Sequence, residues 1–306
     1  AIGYTILVLF WSVGASLFNL WFITRCLTKN EQGFYYTFVS ILGLQIFFDL
    51  GLAFVVLQYA SHEMANLQFT EKRTVHGDEI AKSRLASLTW FAAKWYGLVA
   101  IMVVIVVLPA GFYFFNTTYH GDADVSWKGP WILLSITTAG SLFLGPLIAI
   151  VEGIGRVAEV ALMRTFQGIF SSLVIWASLW AGLKLYASAV LSGFTFLFAG
   201  IWLILRFGPF FKNLLKSKHP HHVVRWWEEI FPFQWKIALS WLSGYFIFQL
   251  YNPLMFAYHG AAAAGQMGMS IQIGTGITNV AIAWISTKAS PVGQMVARKE
   301  FELRDK

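Results

Sequence analysis

Apolar residues run along this chain in eight blocks, at positions 2–24, 34–58, 85–108, 130–152, 162–184, 187–207, 237–258 and 268–290. A helix rises 1.5 Å per residue, so about 20 residues cross the ~30 Å hydrocarbon core of a bilayer. Strands of a membrane barrel would alternate apolar and polar residues over about ten positions. These blocks are apolar on nearly every face, so each predicts a transmembrane helix, and the expected fold is an all-α polytopic membrane protein. The first block begins at residue 2 after Ala1, with no initiator Met, which points to a trimmed N-terminus. It is longer than a signal-peptide core and no small-residue cleavage site follows it, so it too is expected to span.

The polar stretches between blocks set the orientation. Connections 59–84, 153–165, 206–236 and 288–306 hold 17 of the 22 Lys and Arg residues; the opposite set holds Arg25, Lys29, Lys128 and Lys184, and Lys94 falls inside a block. The positive-inside rule puts the first set, and both ends of the chain, in the cytoplasm. The longest cytoplasmic connection carries Lys212, Lys216, Lys218 and Arg225, then Trp226, Trp227, Glu228 and Glu229. That mixture predicts a segment lying in the headgroup layer. It divides the chain into a six-helix lobe at 1–208, a linker at 209–236 and two further helices at 237–306.

Composition agrees with a lipid solvent: 57% of the 306 residues are hydrophobic and 12% charged, against about 25% charged in soluble domains. The net charge of +7 is scattered in short clusters with no continuous basic face, so nucleic acid is not an expected partner. Cys26 is the single cysteine, which excludes an intrachain disulfide and a multi-cysteine metal site.

Inside the blocks, polar residues recur at helical spacing. Block one carries Ser12, Ser16 and Asn19 and ends at Arg25; block two carries Gln45 and Asp49; block seven carries Ser240, Ser243, Gln249 and Asn252; block eight carries Gln272, Thr275, Asn279 and Ser286. Such stripes suit two equivalent helix pairs lining one cavity, although hydrogen bonding between packed helices would use the same residues. Charges within a span are costly and mark a pathway or a pair. Lys94 sits near mid-membrane and Asp49 near the cytoplasmic end of block two, so an Asp49–Lys94 pair is one arrangement, and a snorkelling Lys94 with Asp49 only capping a helix break at Gly51 is the other. Pro146, Pro253 and Pro291 are candidate kinks.

Two connections share an outline. Leu27-Thr28-Lys29-Asn30-Glu31-Gln32-Gly33 leads into Phe34-Tyr35-Tyr36, and His259-Gly260-Ala261-Ala262-Ala263-Ala264-Gly265 leads into Gln266-Met267-Gly268. The offset of 232 contains six spans, and an even number preserves orientation, as in a parallel repeat about an axis along the membrane normal. Completing the second copy would give about twelve spans.

Several enzyme signatures fail. His62-Glu63-Met64-Ala65-Asn66 lacks the second His of a zinc-protease helix, and Gly153-Ile154-Gly155-Arg156-Val157-Ala158 follows a membrane span rather than a strand. His219, His221 and His222 read as a solvated loop, and Glu152 and Arg156 as an i, i+4 interfacial pair. No nucleophile, carboxylate pair or phosphate loop is apparent, so the chain is not expected to be an enzyme or to need a cofactor.

With this topology, the passages Phe48-Asp49-Leu50-Gly51-Leu52, 27–36, 226–244 and 260–270 resemble the polysaccharide (O-antigen type) flippases of the multidrug/oligosaccharidyl-lipid/polysaccharide exporter superfamily. The resemblance runs along the whole chain, and the departure is length, since members have about twelve spans. It implies a transporter of the bacterial inner membrane that moves a polyprenyl-diphosphate-linked oligosaccharide to the outer leaflet by alternating access. Its partners would be that substrate, membrane lipid, and the polysaccharide polymerase and glycosyltransferases of the same pathway. An amide- and cation-lined cavity would be supplied by Arg25, Lys94, Asp49, Asn19, Gln45, Gln249, Asn252, Gln272 and Asn279, with Trp95 and Tyr96 available to stack on sugars. The alternatives are an ion-coupled drug or cation antiporter, with Asp49 holding H+ or Na+, and a membrane-embedded glycosyl- or acyltransferase using His120, Asp122 and Asp124.

Overall fold

The structure is a computed structural model, and it describes residues 2–49, 51–70, 73–119, 125–216, 228 and 231–297. Among these residues the fold is all-α apart from one small hairpin. Helix α1 (Ile2–Cys26) is followed after a two-residue break by α2 (Lys29–Leu42). The start of α2 is fixed by a capping box: the Glu31 amide donates to the Thr28 hydroxyl (3.3 Å) while the Thr28 amide donates to the Glu31 carboxylate (2.8 Å). This satisfies two of the donors that every helix start leaves open. Lys184 reaches the same carboxylate at 2.9 Å.

The second apolar block is not one straight helix. After α2 come a 3-10 turn (Gly43–Gln45), α3 (Ile46–Asp49) and α4 (Leu52–Met64), with a bend of 45° between Asp49 and Leu52. Gly51 makes the bend with φ of 70°, a left-handed conformation in which a Cβ is costly. The hairpin β1 (Leu67–Phe69) and β2 (Val75–Gly77) pairs antiparallel, Leu67 opposite Gly77 and Phe69 opposite Val75. Asp78 caps α5 (Glu79–Met102), accepting from the Ala81 amide at 2.9 Å. A π-turn (Val103–Val107) carries α5 into α6 (Leu108–Thr118).

Helices α7 (Lys128–Val151) and α8 (Val157–Trp180) are joined by a π-like segment in which Ile154 and Gly155 leave helical geometry. Helix α9 (Tyr186–Lys216) follows. Helix α10 (Phe231–Phe248) gives way at Gln249–Leu250 to α11 (Tyr251–Ala297), itself broken at Gly260. The break before α11 is a proline effect. Pro253 has no N–H to offer the Gln249 carbonyl four residues back, and the Gln249 and Leu250 amides both turn to Tyr245.

Three buried clusters hold the bundle. One joins α4, α5, α7 and α9 through Val55, Leu88, Ile150 and Phe207, with Leu67 and Val75 of the hairpin. A second, rich in aromatics, joins α2, α6, α7 and α11 through Phe34, Phe38, Phe115, Trp131 and Phe256. The third joins α1 and α8 through Ile23, Leu27, Ile175 and Leu179. Outside them the surface stays apolar: Leu205, Ile204 and Ile105 are 78%, 70% and 63% exposed. Patches of that kind require a non-aqueous neighbour.

Among the described residues, three helical runs are long and apolar enough to cross a membrane: Glu79–Thr118, Lys128–Trp180 and Tyr186–Lys216; Lys29–Asp49 with Leu52–Met64 makes a fourth if the bent pair is one span. The chain is consistent with a membrane protein, and the eight separate spans read from hydropathy are carried only in part. One local expectation is corrected. Glu152 pairs with Arg164 through two bonds of 2.8 and 2.9 Å rather than with Arg156, whose partner is Glu159 at 3.5 Å. The π-like turn folds α8 back, which brings position 164 rather than 156 alongside position 152.

Candidate functional site

A cavity of about 470 Å³ opens between α1, α2, the end of α10 and α11. Its polar wall is Ser16, Ser40, Gln249, Asn252, Gln272 and Thr275, with Tyr35, Tyr36 and Phe248 supplying rings. No Asp, Glu, Lys, Arg or His lines it among the described residues. The wall is held by hydrogen bonds between elements distant in sequence. The Tyr36 hydroxyl donates to Gln272 Oε1 at 2.6 Å, and Asn252 Nδ2 donates to Ser40 Oγ at 3.0 Å. That second bond fixes the Asn252 amide and leaves its buried Oδ1 without a partner. A buried unsatisfied acceptor costs about 1–3 kcal/mol, which the bond to Ser40 only partly offsets.

One end of the cavity is closed by close backbone contact between α2 and α11. A Cβ on Gly33 would lie 1.9 Å from the Ala261 carbonyl oxygen, and one on Gly265 would lie 3.1 Å from the Lys29 carbonyl oxygen. The two contacts are reciprocal, since Gly265 minus Gly33 and Ala261 minus Lys29 both equal 232. Each glycine faces the carbonyl of the residue four before its counterpart. Ser40 and Gln272, the acceptors in the two cavity-wall bonds, are 232 apart as well.

The nine candidate residues separate into groups. Gln249, Asn252 and Gln272 line the cavity together. Asn19 accepts from the Trp176 indole N–H at 2.6 Å, toward α8. Gln45 keeps a buried Oε1 with no partner and does not line the cavity. The Asp49 carboxylate takes the hydroxyl of Tyr96, together with the Gly51 and Ala53 amides. Lys94 is exposed, its ammonium 5.0 Å from the centre of the Trp90 ring. The Asp49–Lys94 pair considered from sequence is therefore replaced by Asp49–Tyr96. Positions 94 and 96 point about 200° apart on a helix, so α5 cannot offer both to α3. Arg25 is exposed beyond the cavity with its guanidinium 5.9 Å from the Trp21 ring. The Asn279 side chain lies outside the described residues, as do His120, Asp122, Asp124 and the histidines of 219–222.

Tyr35, Tyr36 and Ser40 belong to the wall and were not anticipated. Their signal was the spacing of 36 and 40 on one helical face, hidden because tyrosine near a span end reads as an interfacial anchor. Among the described residues no three His, Cys, Asp or Glu side chains gather as a metal site would require. Comparison of the chain with protein-family models, with curated proteins and with solved structures finds no match.

Proposed function

We propose that the chain is a membrane transporter that flips a polyprenyl-diphosphate-linked oligosaccharide from the cytoplasmic to the outer leaflet by alternating access. The observation that carries this reading is the uncharged, amide- and hydroxyl-lined cavity between helices whose surroundings are lipid-facing. A sugar hydroxyl both donates and accepts, and this wall offers the Asn252 carbonyl and the Gln272 amide to match it. The Tyr35 and Tyr36 rings add faces on which a pyranose can stack. The diphosphate sits outside this neutral wall, with Arg25 the nearest cation along α1: five residues beyond Leu20, or about 8 Å.

In this reading the spans number eight, residues 1–208 form one lobe, 209–236 the linker and 237–306 the opening of a second lobe of a twelve-span protein. The protein lies in a bacterial inner membrane with its N-terminus in the cytoplasm. It hands substrate from glycosyltransferases to a polymerase. The reciprocal Gly33 and Gly265 contacts support two equivalent halves meeting at the outer end. An ion-coupled antiporter is the second reading, favoured by Asp49, a carboxylate held at a helix break inside a bent apolar segment.

The test is reconstitution of the full-length protein in liposomes with a fluorescent lipid-linked oligosaccharide, following its protection from an external quencher. Leaflet transfer that falls in Asn252→Ala and Gln272→Ala is expected. Absence of transfer by the native protein overturns the reading.

A further inference from the structure

A second polar cluster lies away from the cavity, where the hairpin meets α8 and α9. Arg73, at the hairpin turn, donates Nη1 to the Arg206 carbonyl at 2.7 Å and Nη2 to Glu159 Oε2 at 3.1 Å. Arg206 Nε donates to the same oxygen at 3.1 Å, and Arg156 Nη1 lies 3.5 Å from Glu159 Oε1. Among the described residues, three guanidinium groups share one carboxylate, an excess of two positive charges. Aromatic faces hold two of them in place, Phe69 4.2 Å from Arg156 and Phe207 5.0 Å from Arg73. The hairpin is pinned alongside by the Val75 amide, 3.4 Å from Asn213 Oδ1.

The cluster's position is as informative as its charge. Along α9, Ile201, Ile204 and Leu205 project outward from the bundle, and Val157 does so at the start of α8. Arg206 comes next after Leu205, with 56% of its side chain exposed, and Arg156 with 37% immediately precedes Val157. Both guanidiniums thus sit where an outward apolar surface ends. A ligand suited to this place brings negative charge at the level of the arginines and hydrocarbon along α8 and α9. Guanidinium forks match phosphate oxygens in geometry and are cheaper to desolvate than ammonium groups. A soluble acidic peptide would satisfy the charge and leave the apolar flank bare.

We infer that Arg156 and Arg206, positioned by Arg73 and Glu159, form a headgroup site for an anionic glycerophospholipid, separate from the cavity and independent of what the cavity carries. Glu159 sets the site's charge: it spaces the guanidiniums and removes one of their three charges.

The experiment is native mass spectrometry of the full chain released from nanodiscs of equimolar phosphatidylglycerol and phosphatidylcholine. Phosphatidylglycerol adducts are expected to survive in preference, and Arg156→Gln and Arg206→Gln each to lower their retention about fivefold, whereas Lys212→Gln leaves it unchanged. Glu159→Gln raises the local charge and is expected to increase retention. The opposite signs matter, because general loosening of the cluster would lower retention in all three variants. Equal retention of the two lipids, unchanged retention in the Arg156→Gln/Arg206→Gln pair, or a fall in Glu159→Gln would overturn the inference. So would displacement of the lipid by millimolar inorganic phosphate, which would mark a free-anion site instead.

Discussion

Replacing Gly33 by alanine probes the closest approach made by any of the described glycines. The added methyl would lie 1.9 Å from the Ala261 carbonyl oxygen and 2.5 Å from its carbon, whereas a carbon and an oxygen in ordinary contact need about 3.2 Å, close to the shortest weak C–H···O separations. Helices α2 and α11 must therefore part by roughly 1 Å along this line, and the obstacle is backbone, which no rotamer change can move. Overpacking of this kind costs about 1–3 kcal/mol, and the upper half of the range is expected here. Alanine's better helix propensity returns about 0.5–1 kcal/mol, so the net loss is about 1–2 kcal/mol. Thermal unfolding in detergent, followed by tryptophan fluorescence at one scan rate, should show a midpoint lower by roughly 2–8 °C. Gly265→Ala meets its neighbours at 3.0–3.1 Å and should fall less. Gly168→Ala, with nothing within 4 Å of the new methyl, gains only the propensity term and should unfold slightly later. The order Gly33, Gly265, Gly168 is the result at stake. Equal midpoints for the Gly33 and Gly168 variants would show that α2 and α11 do not meet as described.

Four further outcomes are expected. Tyr36→Phe removes the bond to Gln272 and should cost about 1 kcal/mol of stability, while Asn252→Ala removes the bond to Ser40 at a similar cost and should in addition lower oligosaccharide transfer about fivefold or more. Unchanged transfer in Asn252→Ala would remove Asn252 from the substrate-binding wall. Glu31→Ala breaks the capping box and the Lys184 contact together and should destabilise by about 1–2 kcal/mol; Glu31→Gln retains the capping geometry and should lose less than half of that in the same unfolding assay. On the antiporter reading, Asp49→Asn keeps an acceptor for Tyr96 and should fold normally while losing gradient-driven transport. Full transport at every proton and sodium gradient would exclude Asp49 as a coupling site.

The helical content of the chain was legible because the apolar blocks leave no other satisfied backbone geometry in lipid. Gln249, Asn252 and Gln272 were legible as amides inside apolar blocks, but helical spacing did not bring them together, since a helix ends just before Gln249 and Gln272 lies beyond the break at Gly260. Asn19 shows where that reasoning stops. It belongs to the stripe Ser16–Asn19 on α1, yet its amide oxygen meets Trp176 of α8, because an indole N–H in an apolar setting takes whatever acceptor its own packing brings near. The Asp49 partner was recoverable and was missed. Leu85, Leu88, Ala92, Tyr96 and Val99 recur at three- and four-residue intervals and are all buried, so periodicity alone turns Tyr96 inward and Lys94 outward. The hairpin at 67–77 left only a short alternation, Leu67, Gln68, Phe69, in a segment that otherwise reads as a polar connection.

The break ahead of α11 supplies an independent reason to regard the cavity as polar-filled. Pro253 deprives the Gln249 carbonyl of its helical donor, and the Gln249 side chain lines the cavity. Backbone and side-chain acceptors therefore collect where α10 ends, and Asn252 adds a buried carbonyl with no partner. Freed backbone groups inside a bilayer persist where they are buried in protein or face water or a polar ligand. Lipid tails against this wall would leave each of these acceptors unsatisfied, at about 1–3 kcal/mol apiece. A hydroxyl-bearing ligand or water relieves the same groups, so the wall favours polar contents over lipid tails by that difference.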